Sequence, residues 1–379
     1  MLKLELVEAV LARALKGGAD FAEVYAQRAK QPRMKVRQGA LEEALSGLDY
    51  GAGVRLFFGT EVVYAYTDGL TQDGLMEALE TLLRAKGALG KVDEGGKGGL
   101  DFRKATPKGL HAPKVPYGEK DKRYRLERLL EAEAGARIAP AIKQVEASLL
   151  EWEEEVLVAN TEGVFAEEKR VRTRLFVLAV AQDGAEVQTG YSAPGKSVGL
   201  ELFDLYPPKA VGKKAARQAL TNIKARPAPA ATSPLLVGPG FGGVLFHEAV
   251  GHLLETTSVA RKASVLADKL GEVVASPAVT YIDDGTLPHA WGSTEMDDEG
   301  RPTERTVLIE KGVLKSYMVD RLGHLLTGYP MTGSGRRQDY TFAPTSRMRN
   351  TFLAPGGARV EDLFAGIAFG LYAKEMGGG

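Results

Sequence analysis

Apolar positions at the start of the chain recur with the period of a helix. Leu4, Val7, Ala9, Val10, Leu11 and Ala14 predict an amphipathic helix that Gly17 and Gly18 end. Acids and bases are mixed through it, which reads as a helix rather than a signal peptide. Shorter alternating stretches at 21–28, 34–37, 41–48, 54–58 and 62–66 predict strands, and glycines punctuate them. A second helix is expected from Thr71 or Gln72 to about Lys86. Residues 1–90 therefore read as a small α+β domain.

The pattern breaks over 91–118, where glycine and charge dominate and Pro107, Pro113 and Pro116 follow; this is a linker. A middle α+β domain is expected over 119–225. It has a helix at 119–138, strands at 145–150, 155–159, 164–169, 171–181 and 186–191, and a closing helix at 209–224. Alternating prolines across 226–234 stop a helix and form a second linker. The third region, 235–379, opens with a short strand, a glycine-rich turn and a helix over 241–255. Strands and turns follow Gly271. The fold class predicted is α+β: two mixed α/β regions, then a β-rich C-terminal domain carrying that helix.

Charge changes this picture little. Lys and Arg number 49 and Asp and Glu 49, so no net field draws the chain to nucleic acid or an anionic membrane. Apolar runs such as 175–181 are far shorter than the roughly 18 residues of a membrane span. A cytoplasmic protein is expected. The absence of cysteine removes disulfides, thiolate nucleophiles and any Cys-ligated zinc from within this chain.

The helix at 241–255 carries the chemistry. It contains His247-Glu248-Ala249-Val250-Gly251-His252, the pattern H-E-x-x-x-H. Imidazoles bind a divalent metal, the metal acidifies water, and a neighbouring carboxylate takes the proton. The spacing poses a difficulty. Five residues apart, two side chains on a regular helix diverge by about 140°. They converge only if the helix widens into a π turn or ends near Gly251. On an undistorted helix Glu248, His252 and Glu255 share a face, which leaves a site with Glu255 as substitute ligand as the competitor.

The segment FHEAVGHLLE resembles the signature of the TldD/PmbA metallopeptidase family. The resemblance continues through 271–286, 297–320, 332–337 and 344–356 and favours the TldD-like side. It implies a peptidase acting on unstructured peptides, with His247 and His252 as metal ligands and Glu248 as general base. The metal implied is divalent, zinc by default. The assembly implied is a homodimer or a heterodimer with a PmbA-like chain. The family's third ligand is a downstream cysteine, for which this sequence offers no counterpart. The expectation is that the chain stops short of that segment, and therefore binds zinc weakly, lacks activity alone and self-associates. A non-catalytic peptide-binding or partner subunit is the alternative.

Other motifs are weaker. Gly238 to Gly243 fits G-x-G-x-x-G, but no strand with a terminal acid follows the helix, so a tight turn is expected rather than a dinucleotide site. Asp283-Asp284-Gly285 and Asp297-Asp298-Glu299-Gly300 lack calcium-loop spacing and read as acidic turns. Arg336 and Arg337, on a glycine-rich loop, are candidates for contact with a substrate carboxylate or carbonyl, against a structural ion pair. His289 and His324 stand outside ligand spacing.

Overall fold

The computed structural model describes residues 1–87, 100–105, 108–227, 230–239 and 242–375. Part of the expected 91–118 linker, Gly240 and Phe241 of the glycine-rich turn, and residues 376–379 lie outside the described residues.

The first elements are α1 (Leu4–Lys16), β1 (Phe21–Lys30), β2 (Arg33–Arg37), β3 (Ala40–Leu45), β4 (Leu48–Phe58), β5 (Glu61–Thr67) and α2 (Gln72–Ala85). Then come β6 (Arg103–Ala105), α3 (Lys122–Ala136), β7 (Ile142–Asn160), β8 (Val164–Asp183), β9 (Glu186–Ser192) and β10 (Gly195–Lys196). Helices α4 (Leu202–Leu205) and α5 (Pro208–Asn222) close this part. The helices start where local chemistry allows. Thr71 accepts the Gly74 N–H at the head of α2, and Asp121 accepts the Tyr124 N–H at the head of α3, caps worth about 1 kcal/mol each.

All ten strands form one sheet, with the path β10-β8-β7-β1-β4-β5 and with β2, β3, β6 and β9 attached beside it. The long strand β7 holds it together. Its residues 153–160 pair with β1 and its residues 146–150 pair with β2. The regions 1–90 and 119–225 thus share a sheet.

Helices cover one face in two clusters. Val7, Val10, Leu11, Leu79 and Leu83 of α1 and α2 pack on Val24, Val54 and Leu56. Leu129, Ala132, Ala215 and Ala219 of α3 and α5 pack on Val145, Leu175 and Val177. Each fully buried leucine or valine there contributes about 1.5–3 kcal/mol. The α3–α5 crossing is tight because Gly212 has no side chain; a Cβ there would stand 1.8 Å from the Ala132 carbonyl oxygen.

The third region covers the other face. Its elements are β11 (Leu235–Val237), α6 (Gly242–Phe246), α7 (Thr256–Val259), β12 (Tyr281–Asp284), β13 (Arg305–Glu310), β14 (Val313–Leu314), α8 (Arg321–Thr327), β15 (Gly335–Arg336), β16 (Thr345–Ser346), β17 (Thr351–Leu353), α9 (Val360–Ala365) and β18 (Leu371–Ala373). A four-stranded sheet, β14-β13-β12-β17, backs its own core of Leu254, Tyr281, Leu308, Tyr317, Met318 and Met348. Met296 and Tyr340 reach across to Tyr25, Val156, Val158 and Ala166 on the large sheet. The fold is α+β, as expected. No helix among the described residues is long and apolar enough to cross a membrane.

The acidic turn at 297–300 is the plug of this contact. Asp297 stays within its own region, accepting the N–H groups of Glu299, Arg301 and Gly335 at 2.9–3.0 Å. Asp298 pairs with Arg170 at 2.7 Å, and Glu299 with Arg55 at 2.8 Å. Burial pushes the Asp298 carboxyl up, but Arg170, Arg349 and Arg337 together hold it well below the usual carboxylate range. Turn chemistry accounts for Asp297, and cross-sheet ion pairs account for the other two acids.

Two strands each join stretches that the residue pattern separates. The stretches at 145–150 and 155–159 are one strand, as are those at 164–169 and 171–181. The interrupting charges are paired, not solvated. Arg125 meets Glu151 at 2.7 Å, Arg170 meets Glu168 at 3.0 Å, and Glu168 also accepts the Glu295 N–H.

Candidate metal centre

The motif helix does not remain regular. It begins as α6, widens into a π turn over His247–Gly251 and tightens into a 3₁₀ turn over His252–Leu254. The backbone N–H of His252 donates to the carbonyl of His247, five residues back. That one bond is the wide turn the H-E-x-x-x-H spacing requires.

Packing explains why the turn widens here. Gly251 has ordinary helical angles, φ −57° and ψ −53°, so space rather than conformation demands glycine. A Cβ at Gly251 would lie 2.2 Å from Met348 Sδ and 3.1 Å from the Tyr281 hydroxyl. That hydroxyl donates to the Phe246 carbonyl at 3.4 Å, a weak bond to the last α-helical residue before the turn. Below the turn, Leu254 is fully buried, and its carbonyl accepts the Met318 N–H at 2.9 Å.

The consequence is convergence. The rings of His247 and His252 meet edge to face with centroids 4.9 Å apart. One donor atom from each of His247, Glu248 and His252 lies within 4.8 Å of the other two. Glu248 Oε2 is 3.8 Å from His252 Nε2, and its side chain is 58% exposed against 37% for His252. Partial burial and the adjoining His252 push the His247 imidazole down from its ordinary value. A neutral imidazole is the form that ligates a metal.

Glu255 is not where a substitute ligand would stand. The chain has left the helix at this residue, with φ −80° and ψ 131°. Its Oε2 lies 3.2 Å from His252 Nδ1, the ring nitrogen facing away from Glu248. The expected common face of Glu248, His252 and Glu255 is lost because the π turn rotates the residues beyond it.

The two arginines part company. Arg336 on β15 is half-buried, and its Nη1 donates to the Met348 carbonyl at 2.7 Å. Burial, with Arg349 next, pushes its pKa down to about 10, and its charge is felt at His247. Arg337 instead points into the large sheet. It pairs with Glu23 at 2.8 Å, lies 3.8 Å over the Tyr25 ring and is 1% exposed. The substrate-contact expectation for Arg337 gives way to a structural ion pair, because Glu23 and the Tyr25 ring hold its buried guanidinium against the large sheet. His289 is a loop residue at φ 55°, with Nδ1 on the Ser197 carbonyl, and His324 Nδ1 bonds the Tyr329 carbonyl.

Reading along the sequence missed Tyr281 and Met348, which shape the turn from 30 to 100 residues away in sequence. No local signal marks them. The interval from His252 to Glu255, three residues, was the signal for that contact.

The description "PmbA/TldA metallopeptidase" fits all three regions: domain 1 over residues 22–86, the central domain over 114–223 and the C-terminal domain over 230–379. The metalloprotease TldD homolog of Haemophilus influenzae is 34% identical over 370 residues, 95% of this chain and 75% of that protein. A zinc metalloprotease TldD homolog of Saccharolobus solfataricus is 30% identical over 206 residues, 54% of this chain and 46% of that one. The crystal structure of TldE from Thermococcus kodakarensis shares the fold, with a TM-score of 0.79 at 21% identity over 99% of this chain and 83% of that one. With all three of its regions matched, the chain belongs to the TldD/PmbA metallopeptidase family.

Proposed function

We propose that this chain is a TldD-like metallopeptidase that hydrolyses unstructured peptides. His247 and His252 hold a divalent metal, zinc by preference, and Glu248 is the general base. The observation that carries the reading is the π turn, which brings two imidazoles five residues apart to 4.9 Å beside a carboxylate. Two nitrogen donors beside an exposed acid suit a divalent ion, though they are one protein ligand short of the usual catalytic set, so water would fill the remaining positions. Such an ion, when bound, acidifies water and polarises a peptide carbonyl.

The chain's own residues do the rest. Glu248, the most exposed of the three, accepts a proton from the attacking water and passes it to the leaving amide nitrogen. The Arg336 guanidinium, near His247, offers N–H groups to a peptide carbonyl. The proposed assembly is a dimer, of this chain or with a PmbA-like chain, which light scattering checks.

The experiment is cleavage of a disordered peptide by the zinc-loaded chain and by Glu248→Gln. Cleavage by the first, lost about 100-fold or more in the second, supports the general base. Zinc binding without cleavage in the unmodified chain favours the second reading, a non-catalytic peptide-binding or partner subunit. The absence of cysteine from the chain is what favours it.

A further inference from the structure

We infer that Glu255 is a positioning residue for this centre: its carboxylate takes the Nδ1–H of His252 and so aims the Nε2 lone pair at His247 and Glu248. The inference rests on the metal reading above and adds the residue that orients one of its ligands.

Three observations carry it. Glu255 is 2% exposed, and its Oε2 stands 3.2 Å from His252 Nδ1. Its backbone is clamped on both sides. Leu254 accepts the Met318 N–H at 2.9 Å, and Thr256 donates to the Met318 carbonyl at 3.0 Å. The Thr256 hydroxyl also reaches Asp320 at 3.0 Å. The ring of His252 therefore adapts to the carboxylate, and not the reverse.

The third observation is a cost. Oε1 of Glu255 is buried without a hydrogen-bond partner, and Arg347 offers Oε2 only a long contact of 3.4 Å. A carboxylate kept there at such expense is explained by what it does for His252. A bond at Nδ1 fixes the tautomer and leaves Nε2 as a bare acceptor, which is how outer residues orient metal-binding histidines.

The test uses the full metal-free chain with ¹⁵N-labelled histidine. Only five histidines are present, and His252 is assigned by its loss in His252→Gln. Long-range ¹H–¹⁵N spectra near pH 8 are expected to show His252 as a single Nδ1–H tautomer. Glu255→Gln keeps that tautomer, because the amide oxygen still accepts, whereas Glu255→Ala yields a mixture. Chelator competition with zinc alone should show about 10–100-fold weaker binding in Glu255→Ala, with most of the affinity recovered in Glu255→Gln.

An Nε2–H or mixed tautomer in the unmodified chain, a readout that needs no variant to fold, overturns the inference. So does zinc affinity in Glu255→Ala within about twofold of the original while His252→Gln abolishes it. Zinc binding that His252→Gln leaves intact removes the metal centre itself, and the inference with it.

Discussion

The imidazole of His252 stands edge-on to that of His247 at 4.9 Å, although five residues separate them. A regular helix would point them about 140° apart. The hydrogen bond from the His252 N–H to the His247 carbonyl takes in one residue more than an α-helical turn and closes that angle. The spacing H-E-x-x-x-H and the π turn are thus one feature seen at two levels.

Gly251→Ala should damage both stability and the site. The new methyl would meet Met348 Sδ at 2.2 Å, so Met348 or the turn must move. Overpacking of this kind costs about 1–3 kcal/mol. The expected outcome in urea unfolding is a lower midpoint, with weaker zinc binding in the same sample. Adding Met348→Ala should recover part of the zinc affinity by making room. An unchanged midpoint and affinity would mean that the turn does not depend on this packing.

Arg55→Met should loosen the third region from the large sheet. Arg55 is almost fully buried between Glu23 and Glu299, both at 2.8 Å. Burial alone would lower its pKa, but the two carboxylates outweigh that and raise it, so it is charged throughout the working range. Removing one member of a buried ion network leaves the others uncompensated, at about 3–5 kcal/mol. Denaturant unfolding of Arg55→Met, Glu299→Gln and the double variant should show strong non-additivity. Additive losses would separate the two residues.

These contacts also show what could be read along the chain. Helices α1 and α2 and the short strands were legible because their apolar periods are clean and glycine or a capping threonine marks their ends. The middles of β7 and β8 were not. Glu151 to Glu154 and Arg170 look like breaks between strands when a partner such as Asp298, paired with Arg170, lies more than 100 residues away. Arg336 and Arg337 were equally opaque; adjacent in sequence, one ends a two-residue strand beside the motif helix and the other, just past it, turns to Glu23 on the large sheet. The histidines and Glu248 were legible as chemistry. The residues that bend the helix around them were not, since Tyr281 and Met348 act through shape alone.

Acid should destabilise the chain partly through His111. The ring is 8% exposed, its Nδ1 accepts the His289 N–H at 3.2 Å, and burial chiefly pushes its pKa below the ordinary 6.5. A base with a depressed folded value binds more protons when unfolded. Its stability contribution is therefore complete above about 6.5 and erodes as pH falls through that value toward the folded one. Thermal melts between pH 7.5 and 5 should fall more steeply for the unmodified chain than for His111→Gln. Parallel profiles would show that His111 titrates normally.

The most direct measurement is zinc stoichiometry by mass spectrometry after equilibrium dialysis of the unmodified chain and of His247→Ala, His252→Ala and Glu248→Gln. Convergence of the two imidazoles predicts one zinc per chain in the first and its loss in both histidine variants. The general-base role of Glu248 predicts that Glu248→Gln keeps its zinc. Equal zinc in the histidine variants and the unmodified chain would contradict the account.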